Sequence, residues 1–188
     1  MNSLSLKQIL GGRNLYLIGM MGSGKSVTGP LLAKKIEYGF VDADNVVEKV
    51  AKKSISEIFE EDGESTFREI ETKVMKEIGQ RYSLVVSTGG GVVTCPQNWG
   101  ILHQGVVIWI DPEKERLLAR IKLDLIKRPL LNKNFSLQDL DEILQIRKPL
   151  YAEADLHIPV ADQSPEELAL IIVEKLPSII VDVENQGE

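Results

Sequence analysis

The stretch Gly19-Met20-Met21-Gly22-Ser23-Gly24-Lys25-Ser26 constrains this chain more than any other. It fits G-x-x-x-x-G-K-[ST], the phosphate-binding loop, and its flanks supply the context that such a loop requires. Leu15-Tyr16-Leu17-Ile18 before it is a short apolar run of strand type. Residues 27–36 after it carry Leu31, Leu32 and Ile36 at helical spacing. A loop held between a buried strand and a helix start can turn successive backbone N–H groups onto an anion. Gly22 and Gly24 reach backbone angles closed to other residues, and the helix adds unpaired N–H groups and the positive end of its dipole. In such a loop Lys25 bridges the outer phosphates and the Ser26 hydroxyl ligates Mg²⁺. The stretch reads as a nucleoside triphosphate site. It is silent on what receives the phosphate.

With 188 residues, 43% of them hydrophobic, the chain suits one globular domain over residues 1–188. A net charge of −6 and a pI near 5.1 argue against nucleic-acid or membrane-surface binding. No apolar run approaches the ~18 residues of a membrane span. Residues 1–13 form an N-terminal extension without an apolar signal core, and Leu6, Ile9 and Leu10 before Gly11-Gly12 predict a short helix or an ordered lead-in. The single cysteine, Cys95, excludes an internal disulfide, suits a reducing compartment and reads as a packed bystander. A soluble cytoplasmic protein is expected.

Strand-like runs at 15–18, 39–42, 84–87, 106–110 and 156–160 alternate with helical stretches, the pattern of an α/β fold with a parallel sheet covered on both faces. Ser54-Ile55-Ser56-Glu57 predicts a capping box, and Ser164-Pro165-Glu166-Glu167 a capped helix start with proline at its first position. Pro30, about one turn into the phosphate-loop helix, cannot donate to the Ser26 carbonyl and predicts a locally loosened but unbroken start, since the residues after it stay strongly helical. The tail over 177–188 is expected to fray.

Ligands of open parallel sheets bind beyond the carboxyl ends of the strands. The residues there are the phosphate loop, Asp42-Ala43-Asp44 and Thr88-Gly89-Gly90-Gly91, which should meet in one cleft. Asp42, at a strand end, is placed to hold Mg²⁺ through water, because Mg²⁺ keeps several waters. Asp44 would reach an acceptor hydroxyl. The alternative makes both aspartates an acidic helix start stabilised by the dipole. Gly89, Gly90 and Gly91 expose backbone N–H groups to a small polar ligand, or form a flexible turn.

Arginine grips a carboxylate through two parallel hydrogen bonds. Arg68 and Arg147, in an acidic protein, therefore suggest an anionic substrate; for Arg68 an intrahelical pair with Glu71 is the other reading. Lys127-Arg128-Pro129-Leu130-Leu131 lies in a mixed-charge stretch that could close as a lid, with Arg128 placing charge on the transferring phosphoryl group.

Taken in order, 19–26, Asp42-x-Asp44, Gly63-Glu64-x-x-Phe67-Arg68, Ser87-Thr88-Gly89-Gly90-Gly91, Arg128-Pro129-Leu130-Leu131 and Arg147-x-Pro149-Leu150-Tyr151 resemble the shikimate kinase family over about 14–165. The resemblance implies a P-loop kinase fold with a five-stranded parallel sheet in the order 2-3-1-4-5, a helical substrate-binding subdomain at about 43–80 and a mobile lid at about 121–135. It implies transfer of the ATP γ-phosphate to the 3-hydroxyl of shikimate, on the route to chorismate and the aromatic amino acids, by a monomer. Lys25, Asp44 and Arg128 take the catalytic roles. Asp44 meets the ring hydroxyls, Arg68 and Arg147 the carboxylate, and Gly89, Gly90 and Gly91 line the pocket. Gly22, Ser23, Gly24, Lys25, Ser26 and Val27 hold the nucleotide with Arg120, against adenine, and Arg128. Mg²⁺ is held by Ser26 and, through water, by Asp42.

Two departures stand out. Val27 occupies a position where many members carry threonine, which removes one hydroxyl contact to an inner phosphate. The segment 122–127 is short and apolar for a lid. A P-loop kinase of another small acid, such as gluconate, and a non-catalytic relative of the family are the remaining alternatives.

Overall fold

Strand β1 (Leu15–Ile18) is buried along its whole length because its alternate residues feed two cores. Leu15 and Leu17 point into one, Tyr16 and Ile18 into the other. The computed structural model describes residues 6–124 and 136–185, with the side chains of 124 and 181–185 left aside. Around β1 lies a five-stranded sheet with β2 (Gly39–Asp42), β3 (Leu84–Ser87), β4 (Val106–Pro112) and β5 (Leu156–Val160). Its order is β2-β3-β1-β4-β5 and every pairing is parallel, as the sequence pattern implied. β4 runs two residues beyond the apolar stretch, since Asp111 and Pro112 still pair with β5.

Helix α1 (Leu6–Leu10) is the ordered lead-in; with α2 (Lys25–Ile36) and α9 (Pro165–Asn185) it covers the face of Leu15 and Leu17. α3 (Ala43–Ala51), α5 (Gly63–Gly79), α6 (Pro96–Leu102) and the end of α8 (Leu137–Tyr151) cover the opposite face. The short α4 (Ile55–Glu57) and a π-helical turn (Ile58–Asp62) join α3 to α5, and α7 (Lys114–Asp124) packs with α8 around Met20.

Both predicted caps form. Ser54 Oγ accepts from Glu57 N at 3.2 Å and Glu57 Oε2 from Ser54 N at 2.7 Å; Ser164 and Glu167 repeat the exchange at 3.2 and 2.8 Å. α2 runs unbroken through Pro30, which is exposed; Thr28 N keeps a 3.0 Å bond to Gly24 O. One expectation needs correction. The chain past Pro177 is helical to Asn185 instead of frayed, because Leu168, Ile172, Leu176 and Ile180 continue one buried stripe across the proline. The lid segment 125–135, with Arg128, lies outside the described residues.

Candidate active site

The phosphate loop joins β1 to α2 through three glycines at positive φ: Gly19 at 136°, Gly22 at 76° and Gly24 at 102°. Gly19 is doubly required, since a Cβ there would lie 2.4 Å from the Ile110 carbonyl oxygen of β4. Lys25 is buried, and its ammonium donates to Gly19 O at 2.8 Å, Met20 O at 3.0 Å and Ser23 Oγ at 3.2 Å. Its charge is thus held against the loop that would wrap the phosphates. Arg120, on α7, donates to Gly22 O at 3.1 Å and arches over the same loop. Loop, Arg120, Asp44, Thr88 and Gly90 line one cleft of about 420 Å³ that continues to Val160, Gln163 and Pro165. The three strand ends do meet.

Ser26 and Asp42 form the second corner. Ser26 Oγ donates to Asp42 Oδ2 at 2.7 Å and lies 3.2 Å from Ser87 Oγ on β3. Asp42 also caps α3, Oδ1 accepting from Asn45 N at 3.3 Å, so the helix-start reading holds for it. No group of three or more His, Cys, Asp or Glu side chains is placed to cage a metal among the described residues. A hydroxyl joined to one carboxylate is instead the sparse all-oxygen set that suits Mg²⁺, which keeps waters and shares phosphate oxygens.

The third corner is built around the glycine triplet. A Cβ on Gly89 would lie 2.5 Å from Glu71 Oε1 and 2.9 Å from Asp44 Oδ1; one on Gly91 would lie 2.3 Å from an Arg68 nitrogen. The glycines are therefore the floor on which Asp44, Arg68 and Glu71 rest. Arg68 donates through Nη1 to Glu71 Oε2 at 2.8 Å, and through Nη2 to Glu64 Oε1 at 3.1 Å. The intrahelical pair of Arg68 with Glu71 exists, and it turns the guanidinium onto the triplet. Arg147, from α8, donates to Gly90 O at 3.3 Å. Burial raises the Glu71 pKa, outweighing the pull of Arg68 and Arg147, and the Asp44 carboxylate adds to the rise. One carboxylate thus feels all three predicted acceptor residues.

Glu71 is the residue the sequence reading undervalued. It falls on the buried stripe of α5 formed by Phe67, Val74, Met75 and Ile78, and a charge on such a stripe was the available signal. Tyr151, whose hydroxyl bonds Gly90 O, and Ser87 were quoted in motifs without a role. Val27 is 57% exposed at the cleft, so the departure there leaves the loop's packing intact.

A parallel sheet in this order, with a phosphate loop after its central strand and two arginines against the glycine triplet beside it, defines a P-loop phosphotransferase of the small-molecule kinase type. Residues 21–177 match the family model described as shikimate kinase, and the chain belongs to the shikimate kinase family. It is 56% identical over 184 residues to a shikimate kinase of Prochlorococcus marinus (strain NATL2A), covering 98% of this chain and 93% of that protein. A shikimate kinase of Synechococcus sp. (strain CC9902) is 54% identical, with 98% and 97% covered. Among solved structures, shikimate kinase from Acinetobacter baumannii in complex with shikimate superposes with a TM-score of 0.86 at 36% identity, covering 92% of this chain and 97% of that one.

Proposed function

We propose that this protein is a shikimate kinase, transferring the γ-phosphoryl group of ATP to the 3-hydroxyl of shikimate to give shikimate 3-phosphate and ADP. The observation that carries the reading is the convergence of Asp44, Arg68 and Arg147 on one glycine floor across the cleft from Lys25. A hydroxylated carboxylate needs a carboxylate to orient its hydroxyl and arginines to hold its charge. That floor supplies both.

Phosphoryl transfer passes through a loose transition state, so positioning and charge neutralisation dominate. Lys25 moves from the loop carbonyls to the outer phosphates, Gly22, Ser23, Gly24 and Val27 line the nucleotide, and Arg120 lies over its base. Ser26 and, through water, Asp42 would hold Mg²⁺, which supplies charge neutralisation of the phosphates when bound. Arg128 brings a further positive charge from the lid. Asp44 orients the attacking hydroxyl and accepts its proton late, while Arg68 and Arg147 hold the carboxylate over Gly89, Gly90 and Gly91. We further infer one kinase domain over 1–188, with a substrate-binding subdomain at about 43–80, acting as a monomer in the cytoplasm. No described helix is long and apolar enough to cross a membrane.

Steady-state ADP release, measured with Mg-ATP alone, with shikimate and with gluconate, tests the reading. Release stimulated by shikimate alone is expected. Stimulation by gluconate alone would move the substrate to another acid, and no release with either would make the protein a non-catalytic relative.

A further inference from the structure

Tyr151 closes α8 one turn after Arg147 and is 1% exposed. Its hydroxyl donates to the Gly90 carbonyl, the oxygen that also accepts from Arg147 Nη1 at 3.3 Å. A carbonyl oxygen has two lone pairs, and here one serves the tyrosine and the other the arginine. The two partners are held very differently. The Tyr151 ring stacks on Trp109 with centroids 5.8 Å apart, and Trp109 stacks in turn on His157 at 4.0 Å. Burial pushes the phenol pKa up to about 12, so the hydroxyl keeps its proton and remains a donor. Arg147, half-buried on a long side chain, also has Met20 Sδ at 3.8 Å and lies against the Tyr151 hydroxyl, with the Glu71 carboxyl within its field.

We propose that Tyr151 is a positioning residue for the acceptor site, holding the Gly90 carbonyl when Arg147 turns to the acceptor carboxylate. The inference rests on the assignment of Arg147 to that carboxylate. If Arg147 were the only partner of Gly90 O, its departure would leave a half-buried carbonyl without a protein partner, and that cost would oppose acceptor binding. Tyr151 removes it. Because the peptide unit is planar and trans, holding Gly90 O also fixes the opposite direction of the Gly91 N–H on the pocket floor.

The test is a double-mutant cycle of Tyr151→Phe and Arg147→Ala, reading KM for shikimate, KM for ATP, kcat and Tm. Tyr151→Phe should raise the shikimate KM by roughly tenfold, the factor equivalent to one lost hydrogen bond, with the ATP KM and kcat within about twofold. In the Arg147→Ala background the same substitution should change the shikimate KM far less, since no arginine remains to be released. Additive effects, an equal rise in the ATP KM, or an unchanged shikimate KM overturn the inference alone. A normal shikimate KM in Arg147→Ala overturns the carboxylate assignment and the inference with it. Should Tyr151→Phe fail to fold, Trp109→Phe, which keeps the hydroxyl but loosens its support, should raise the shikimate KM by a smaller factor; no rise there overturns the proposal.

Discussion

Arg68 Nη1 donates to Glu71 Oε2 at 2.8 Å, and the glutamate side chain behind it is 2% exposed. The pair aims the guanidinium at Gly91, and Glu71 is the member hidden from water. Burial raises the Glu71 pKa above its ordinary 4.5. A carboxyl raised by folding contributes stability that is complete below the unfolded value and is lost as pH rises through the folded one. Glu71→Gln imitates the protonated form. The wild-type Tm minus that of Glu71→Gln should therefore fall as pH rises from about 4 to about 7, as thermal melts would record. A difference that grows with pH would mean that the charged form is the favoured one.

The glycines separate two kinds of failure. Gly19→Ala forces a Cβ to within 2.4 Å of a backbone carbonyl at φ 136°, which the loop cannot relieve, and should destabilise the fold by a few kcal/mol. Gly91→Ala meets the end of the Arg68 side chain instead of backbone, at 2.3 Å. It should keep its Tm within a few degrees and lose shikimate affinity at least about tenfold, since a displaced carboxylate partner is costly. Calorimetric melts and shikimate titrations of the two variants distinguish these outcomes.

The Ser26–Asp42 contact makes a prediction about metal. Partners that orient a ligand typically contribute 10–100-fold in metal affinity, so Asp42→Asn should shift the Mg²⁺ concentration for half-maximal ADP binding upward by about tenfold. The shikimate affinity measured without nucleotide should not change. A Mg²⁺ dependence identical to wild type would leave Asp42 as a helix cap only.

Asp44 sits at the start of α3, its Oδ1 2.9 Å from the position of a Gly89 Cβ. General-base help is worth ~10²–10⁴-fold, so Asp44→Asn should lower kcat by that range while ATP affinity is retained. Single-turnover measurement of the chemical step checks it. Unaltered turnover would remove the base assignment.

Much of the fold and of the candidate site is legible in the sequence. The strand runs fix the parallel sheet, because each carries continuous apolar residues for two covered faces, and the order 2-3-1-4-5 follows from the family resemblance. The loop, Asp42, Asp44 and the triplet announce themselves by lying after strands. Three features were not legible, each for a physical reason. Whether Arg68 bonds Glu71 or faces the glycine triplet looks like a choice in one dimension, yet a guanidinium with five donors does the first while lying against the second. Tyr151 acts on Gly90 across 61 residues of chain, a contact no local spacing announces. Pro177 looks like a helix end, but tertiary burial of Leu176 and Ile180 carries the helix past it.

The carboxylate clamp is tested most directly by titrating shikimate into wild type, Arg68→Ala and Arg147→Ala, with ADP titrated in parallel. Removing one partner of a desolvated charge pair costs ~2–5 kcal/mol, or roughly 30- to several thousand-fold in Kd. Each variant should therefore bind shikimate at least about thirtyfold more weakly while its ADP affinity stays at the wild-type value. Wild-type shikimate affinity in both variants would contradict the clamp.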